Sequence, residues 1–154
     1  MTRKQYRRWY FRQLRAYEKQ TRGIVKRHLK NTLIQFANSS PRVDTIDSLL
    51  SKTISKRAIF KMLVEVYTDV GGRHGNEVLK GLNDNKLTVK RRFISLWIES
   101  FALDVLEFLG LYAGKKIESI RQTLIKAVID YITTLNDEGE SVQVITNKMV
   151  EAHM

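Results

Sequence analysis

The chain contains no cysteine, a single proline and only eight glycines among its 154 residues. Without cysteine it forms neither disulfides nor thiolate metal sites, which excludes the disulfide-stapled classes of small secreted protein. Proline and glycine supply most of the tight turns that join short strands, so their scarcity argues against a β-sandwich or a barrel. The composition therefore favours helices before any pattern is considered.

Long apolar runs are also missing, because no stretch of eighteen consecutive apolar residues occurs. The most apolar region, residues 94–112, is interrupted by Glu99, Asp104 and Glu107, which favours a core helix over a membrane span. We expect this helix at the centre of the fold. The chain is basic from Arg3 onward and lacks the apolar segment of a secretory signal, so we expect none.

Acidic side chains are almost absent from the first thirty residues, which hold eleven Lys or Arg and one acid, Glu18. Residues 31–154 hold 16 basic and 15 acidic side chains, so nearly all of the net charge of +11 belongs to the first segment. A helix face that is merely solvated usually carries both signs, so this excess indicates a polyanionic partner. Seven of the eleven cations are arginine, which suits bidentate contact with phosphate.

The same segment has the period of one long amphipathic helix, predicted over residues 1–38 and ended by Asn38 to Pro41. Apolar residues recur every three or four positions, and basic residues recur at the same intervals, displaced by roughly 200° around the axis. We predict that the basic face binds nucleic-acid phosphate. Its members, the basic stripe, are Lys4, Arg8, Arg12, Arg15, Lys19, Arg22, Lys26 and Lys30.

The opposite face of this helix is aromatic, and we predict that it forms a protein interface. The residues concerned are Tyr6, Trp9, Tyr10, Phe11, Leu14 and Tyr17. Most follow one stripe, as in packing against the rest of the chain or a neighbouring subunit. Trp9 and Phe11 lie off the stripe and are better candidates for an intermolecular contact, with base stacking or lipid headgroups as alternatives. A helix about 50 Å long exceeds the width of a small domain, so we also predict a homo-oligomer.

Residues 39–154 are predicted to form a separate helical domain, a bundle of about four to five helices. The fold class is therefore all-α, with a long basic amphipathic helix (1–38) preceding the bundle (39–154). Asp44, Ser55 and Ser141 are predicted to cap helices. At Gly71 and Gly72 the pattern leaves two possibilities: the helix ends there, or it continues and lets another segment approach closely.

No set of catalytic or metal-binding residues can be assembled from the sequence. His28, His74 and His153 are far apart and have no metal ligand at i+4. The segment Gly71–Gly75 is glycine-rich but follows a helix, and it lacks the Lys-Ser/Thr of a phosphate-binding loop. We therefore expect no enzymatic activity, no metal or cofactor, and no small-molecule substrate.

The second half of the chain carries a recognisable succession of helices and turns. It comprises Phe101 to Gly110, Tyr112-Ala113-Gly114, Ile117, Ile120-Arg121-Gln122, a helix through Val128 and Ile129, and Gly139-Glu140-Ser141-Val142 leading into Ile145. Over residues 54–150 this succession resembles the helical region of tailed-phage head morphogenesis proteins, the minor head proteins that accompany the portal; similar stretches also occur fused to portal proteins. The resemblance implies a virion protein of the portal vertex or capsid interior, present in the host cytoplasm during assembly. Its implied partners are the portal, other head proteins and packaged DNA.

Three hypotheses of function follow. The first is a structural minor head or portal-vertex protein that makes assembly contacts and binds DNA without sequence specificity, since no recognised DNA-reading motif occurs. The second is a free-standing cytoplasmic nucleic-acid-binding helical module. The third, which the sequence favours least, is an amphipathic anchor at a membrane surface. The sequence leaves open whether the basic helix faces DNA or an acidic groove on a protein.

Overall fold

The described part of the protein is built from helices. The computed structural model describes the backbone of residues 2–84 and 91–152 and the side chains of residues 2–78, 80 and 100–152. The helices are α1 (Arg3–Asn38), α2 (Ile46–Thr53), α3 (Lys56–Asp84), α4 (Arg91–Tyr112), α5 (Gly114–Asp137) and α6 (Val142–Ala152), and no strand occurs within these ranges. The predicted all-α fold, with a long first helix before a bundle, is confirmed. The division into two domains at residue 38 stays a prediction.

The ends of α1 are determined by local sequence. The Thr2 hydroxyl accepts a hydrogen bond from the Gln5 amide at 3.3 Å, and the Gln5 side chain accepts one from the Thr2 amide at 2.7 Å. This capping box satisfies amide groups that the first turn cannot pair internally. After Asn38 the chain adopts a left-handed conformation at Ser40 (φ +52°), and Pro41 is buried. The predicted stop of α1 is therefore confirmed.

The core lies between the second half of α1 and the helices of the bundle. Phe36, Leu50 and Ile145, which come from α1, α2 and α6, have no exposed area. Full burial of such side chains contributes about 1.5–3 kcal/mol each. The hydroxyl of Thr146 is buried as well, and it donates a hydrogen bond to the carbonyl oxygen of Val142 at 2.7 Å. The end of α1 is thus part of the same core as the bundle.

Two of the three predicted N-caps are confirmed. Ser55 accepts a hydrogen bond from the amide of Ala58 at 3.1 Å, and Ser141 accepts one from the amide of Val144 at 3.3 Å. The prediction for Asp44 is wrong, because the N-cap of α2 is the next residue, Thr45. The Thr45 hydroxyl bonds backward to the preceding turn at Arg42, so α2 begins without a side-chain cap.

The helix α3 continues through Gly71 and Gly72, which decides between the two possibilities that the sequence left open. Phe101 of α4 lies directly over Gly71, since a Cβ atom there would be 2.5 Å from Phe101 Cζ. Glycine at position 71 therefore allows α4 to pack closely on α3.

The expectation that the most apolar helix lies at the centre of the fold holds only in part over residues 100–112, the part of α4 whose side chains are described. Within residues 100–112 of α4, Val105 and Leu109 are buried, whereas Leu103 and Leu111 are each 67% exposed. The helix packs on α3 and α5 through one side. Because the apolar residues between positions 101 and 112 surround the helix axis, the described part of the chain covers only some of them. The predicted core positions Phe93, Ile94, Trp97 and Ile98 lie outside the described side chains.

One arginine connects two helices of the bundle. Arg121 of α5 donates from Nε to the carbonyl of Ile54 at 2.7 Å and from Nη2 to the carbonyl of Ser51 at 2.8 Å. Its Nη1 donates to Glu118 Oε1 at 3.2 Å. The guanidinium thereby pairs carbonyl groups at the C-terminal end of α2, which that helix cannot pair itself.

Candidate nucleic-acid interface

The helix α1 is packed along its second half and exposed along its first. Within residues 2–16, which we call the N-terminal arm, only Gln13 and Ala16 are partly buried, and no side chain is fully buried. The first fully buried residue of α1 is Ile24. The arm therefore projects from the bundle as a helix with little tertiary support.

Tyr17 marks the point where α1 reaches α3. Its hydroxyl lies 3.2 Å from Nδ1 of His74, and the guanidinium of Arg73 lies 5.7 Å from its ring centroid. Arg73 also donates to the side-chain oxygen of Gln20 at 3.4 Å. Tyr17 was predicted to form a protein interface, and the structure places it in a contact within its own chain.

Further along, Arg27 and His28 both contact Glu65 of α3, with His28 Nε2 at 2.5 Å from Glu65 Oε2. Partial burial lowers the pKa of His28, and the positive charge of Arg27 lowers it further. The lowered pKa favours the neutral imidazole, which can donate its Nε2 hydrogen to Glu65.

The eight residues of the basic stripe lie along one face of α1. Seven are exposed and Lys30 is partly buried. From Lys4 to Lys30 the stripe extends for about 39 Å, at about 1.5 Å per residue. Arg22 pairs with Glu18, Nη2 to Oε1 at 2.8 Å, and the other seven form no ion pair with any described residue.

The structure adds two cations that the predicted stripe did not include, Arg3 and Arg7. A shallow depression of about 740 Å³ runs along the arm between Arg3, Lys4, Arg7, Arg8, Phe11, Arg12 and Arg15. Phe11, which is 59% exposed, is the aromatic residue of this otherwise basic lining. Helical spacing could have identified the cluster, because Arg7, Arg8 and Arg15 lie three or four residues from Phe11.

Five of the six predicted interface residues are exposed in the arm. We call them the α1 aromatic surface: Tyr6, Trp9, Tyr10, Phe11 and Leu14. Their rings contact one another, with centroids 5.9 Å apart for Tyr6 and Trp9, and 6.3 Å apart for Tyr6 and Tyr10. Since the described part of the chain leaves them exposed, these residues are available to another molecule.

The charge at the start of α1 has the unfavourable sign for a helix. Its first turn contains no acid, and Arg3 and Lys4 lie there. The N-terminal end of a helix carries a partial positive charge, so cations in the first turn are repelled and anions are attracted. An anionic partner would relieve this repulsion.

Among the described residues, no three His, Asp or Glu side chains form a group that could hold a metal ion; His153 lies outside those residues. No helix within residues 2–84 and 91–152 has both the length and the apolar character needed to span a membrane. No family model, curated protein or solved structure matches the chain. The resemblance of residues 54–150 to phage head proteins therefore stays a prediction.

Proposed function

We propose that this protein is a non-enzymatic structural protein that binds nucleic acid through the phosphate backbone, without sequence specificity, using the basic stripe of α1. The observation that carries the proposal is the line of seven basic side chains on α1 that form no ion pair with described residues. Binding a polyanion to such a line releases condensed counterions, which supplies most of the free energy of non-specific binding.

The geometry of the stripe supports duplex DNA as the ligand. A face of about 39 Å passes many phosphates, since duplex DNA carries one charge per about 1.7 Å of its axis. Contact with about eight phosphates gives a slope of about −7 in a plot of log K against log salt concentration. Binding is therefore tight at low salt and weak at high salt.

We further propose that this binding takes place in the head of a tailed phage, at the portal vertex or in the capsid interior. The support is the resemblance of residues 54–150, together with exposed surfaces on α1 and α4 that suit assembly contacts. In this setting the partners are the portal, other head proteins and packaged DNA. Mass spectrometry and imaging of purified particles test the setting: we expect the protein inside the particle, and its restriction to the host cytoplasm would instead favour a free-standing binding module.

The binding itself is tested with two variants of equal net charge. In the stripe variant, four cations of the arm and its continuation become glutamine: Arg8, Arg12, Arg15 and Lys19. In the control, four exposed cations of the bundle become glutamine: Arg57, Lys61, Lys116 and Lys126. Affinity for a duplex of random sequence is measured by fluorescence anisotropy over a range of salt concentrations.

We expect the stripe variant to lose roughly 100-fold or more in affinity at about 0.1 M salt, and its salt slope to fall from about −7 to about −4. The control keeps nearly the affinity and slope of the unchanged protein. Equal losses in both variants would show that binding follows net charge and not the stripe. Tighter binding to polyglutamate than to DNA would identify an acidic protein as the partner.

A further inference from the structure

The outward side of α4 is a second large apolar surface in the described part of the protein. We call five residues with exposed fractions between 44% and 74% the α4 apolar surface: Leu103, Leu106, Phe108, Leu111 and Tyr112. Tyr67 of α3 borders it, with its ring centroid 6.1 Å from that of Phe108. A group of exposed large apolar side chains on one helix marks an interaction site.

Two acids lie within this surface. Between residues 100 and 112 the charged side chains are Asp104 and Glu107, and both are exposed. They are three residues apart and so lie one helical turn from each other. Glu107 is four residues from both Leu103 and Leu111. Neither acid forms an ion pair with a described residue.

The α1 aromatic surface has the opposite charge arranged in the same way. Arg3 and Arg7 are four residues apart, again one turn, and both are exposed. Arg7 is three residues from Tyr10 and four from Phe11, so it lies about one helical turn from both, and it lines the same depression as Phe11. No ion pair with a described residue neutralises either arginine.

We propose that the α1 aromatic surface of one copy docks on the α4 apolar surface of a second copy, with Arg3 and Arg7 facing Asp104 and Glu107. The two surfaces match in length, since residues 6–14 and 103–112 extend about 12 Å and about 14 Å along their helices.

Charge decides which surfaces pair. Two α4 surfaces packed on each other would bring Asp104 and Glu107 of both copies together, and two arms would bring their arginines together. Like charges across an interface disfavour a pairing, whereas opposite charges favour it and set its register. When α1 of one copy docks on α4 of another, Arg3 and Arg7 face Asp104 and Glu107. Of the three pairings, this one brings opposite charges together.

This contact goes beyond the proposed nucleic-acid binding and does not depend on it, although Arg3 and Arg7 also line the basic depression of the arm. Each copy has one arm and one α4 surface, so the contact is head-to-tail and repeats into a closed ring or an open chain. Arg12, Lys19 and Lys26 of the basic stripe lie on the other side of α1 from Tyr10 and stay free for phosphate. Phe11 borders the stripe, in the depression that Lys4, Arg8 and Arg15 also line.

The test uses the full-length protein, freed of nucleic acid and studied by sedimentation velocity at about 0.15 M salt, at protein concentrations up to about 100 µM. The arm variant carries Arg3→Glu and Arg7→Glu, and the α4 variant carries Asp104→Arg and Glu107→Arg. A control with the same charge change as the arm variant carries Arg57→Glu and Lys126→Glu on exposed positions of the bundle. Circular dichroism verifies that each variant keeps its helices.

We expect the unchanged protein and the control to associate, and each of the two test variants to associate at least tenfold more weakly. An equimolar mixture of the arm variant and the α4 variant should recover association, because every arm then meets an α4 surface of opposite charge. A protein that stays monomeric at about 100 µM would overturn the proposal. A mixture that fails to recover association would also overturn the proposal. So would an arm variant that associates like the unchanged protein, if the variant with Asp104→Asn and Glu107→Gln associates more strongly. Those two results together would indicate a contact between two α4 helices.

Discussion

Arg121 pairs backbone carbonyl groups that α2 leaves without a partner, and its side chain is only 16% exposed. Hydrogen bonds from a charged donor contribute about 1.5–3 kcal/mol, and a partner left unpaired adds to the loss. We expect Arg121→Met to lower the free energy of unfolding by about 2 kcal/mol, measured by urea denaturation.

Arg42→Met is the matched control for Arg121. The Nε atom of Arg42 lies 3.8 Å from Asp44 Oδ1, and both side chains are largely exposed. Exposed pairs of this kind contribute about 0–1 kcal/mol. Equal losses in the two variants would show that the carbonyl contacts of Arg121 do not stabilise the junction between α2 and α5.

The neutral state of His28 predicts a pH dependence of stability. Its pKa in the folded protein is lower than the ordinary value of 6.5, because of partial burial and then Arg27, so the unfolded chain takes up a proton more readily. The contribution to stability is fully present above about pH 6.5 and is lost as the pH falls through the lowered pKa. We expect the free energy of unfolding to decrease as the pH falls from about 6.5 to about 5, and the variant His28→Gln to show a smaller decrease. The same pH profile for both proteins would contradict this prediction.

Two helical glycines are expected to respond in opposite ways to substitution by alanine. A Cβ atom at Gly23 meets nothing within 4 Å, whereas one at Gly71 meets the ring of Phe101. Gly23→Ala should raise the free energy of unfolding by about 0.5–1 kcal/mol, because alanine favours the helix. Gly71→Ala should lower it by about 1–3 kcal/mol, because α4 must shift outward. Thermal denaturation of both variants measures the effect, and a stabilising Gly71→Ala would contradict the close packing of α4 on α3.

The helices differ in how far the sequence predicts them. The bounds of α1 follow from its caps and its period, which are local features, and the prediction of its end at Asn38 is confirmed. The position of α4 could not be predicted in this way, because a helix with apolar residues on all sides has no single inward face. The carbonyl partners of Arg121 are also hidden from the sequence, since they lie 67 and 70 residues away.

The sequence predicts the candidate site only in part, because it shows local patterns and not contacts between residues far apart in the chain. The basic stripe lies along one helix, so its period alone placed the eight residues on one face. Arg3 and Arg7 were missed because they lie beside the aromatic residues and not opposite them. The contact of Tyr17 with His74 spans 57 residues, and no local pattern in the sequence indicates it.

The molecule as a whole should tolerate loss of the N-terminal arm. Because none of its side chains is fully buried, removing residues 2–16 should change the free energy of unfolding by no more than about 0.5 kcal/mol, as for surface changes in general. Urea denaturation followed by circular dichroism measures this. A control that removes residues 2–28 should be strongly destabilised, because it deletes the buried Ile24 and the contacts to Glu65. A loss of several kcal/mol from the shorter deletion would mean that the arm packs on the bundle.

The continuity of α1 from the arm into the bundle has a consequence for the entropy of binding. Starting a helix is the unfavourable step in its formation, and extending an existing one costs far less. The packed half of α1 provides that start, and the capping box at Thr2 closes the other end. The arm therefore presents its arginines on a backbone that is already ordered. A partner that binds the arm restricts side chains but has little backbone freedom left to remove, in contrast to a disordered basic tail that folds on contact.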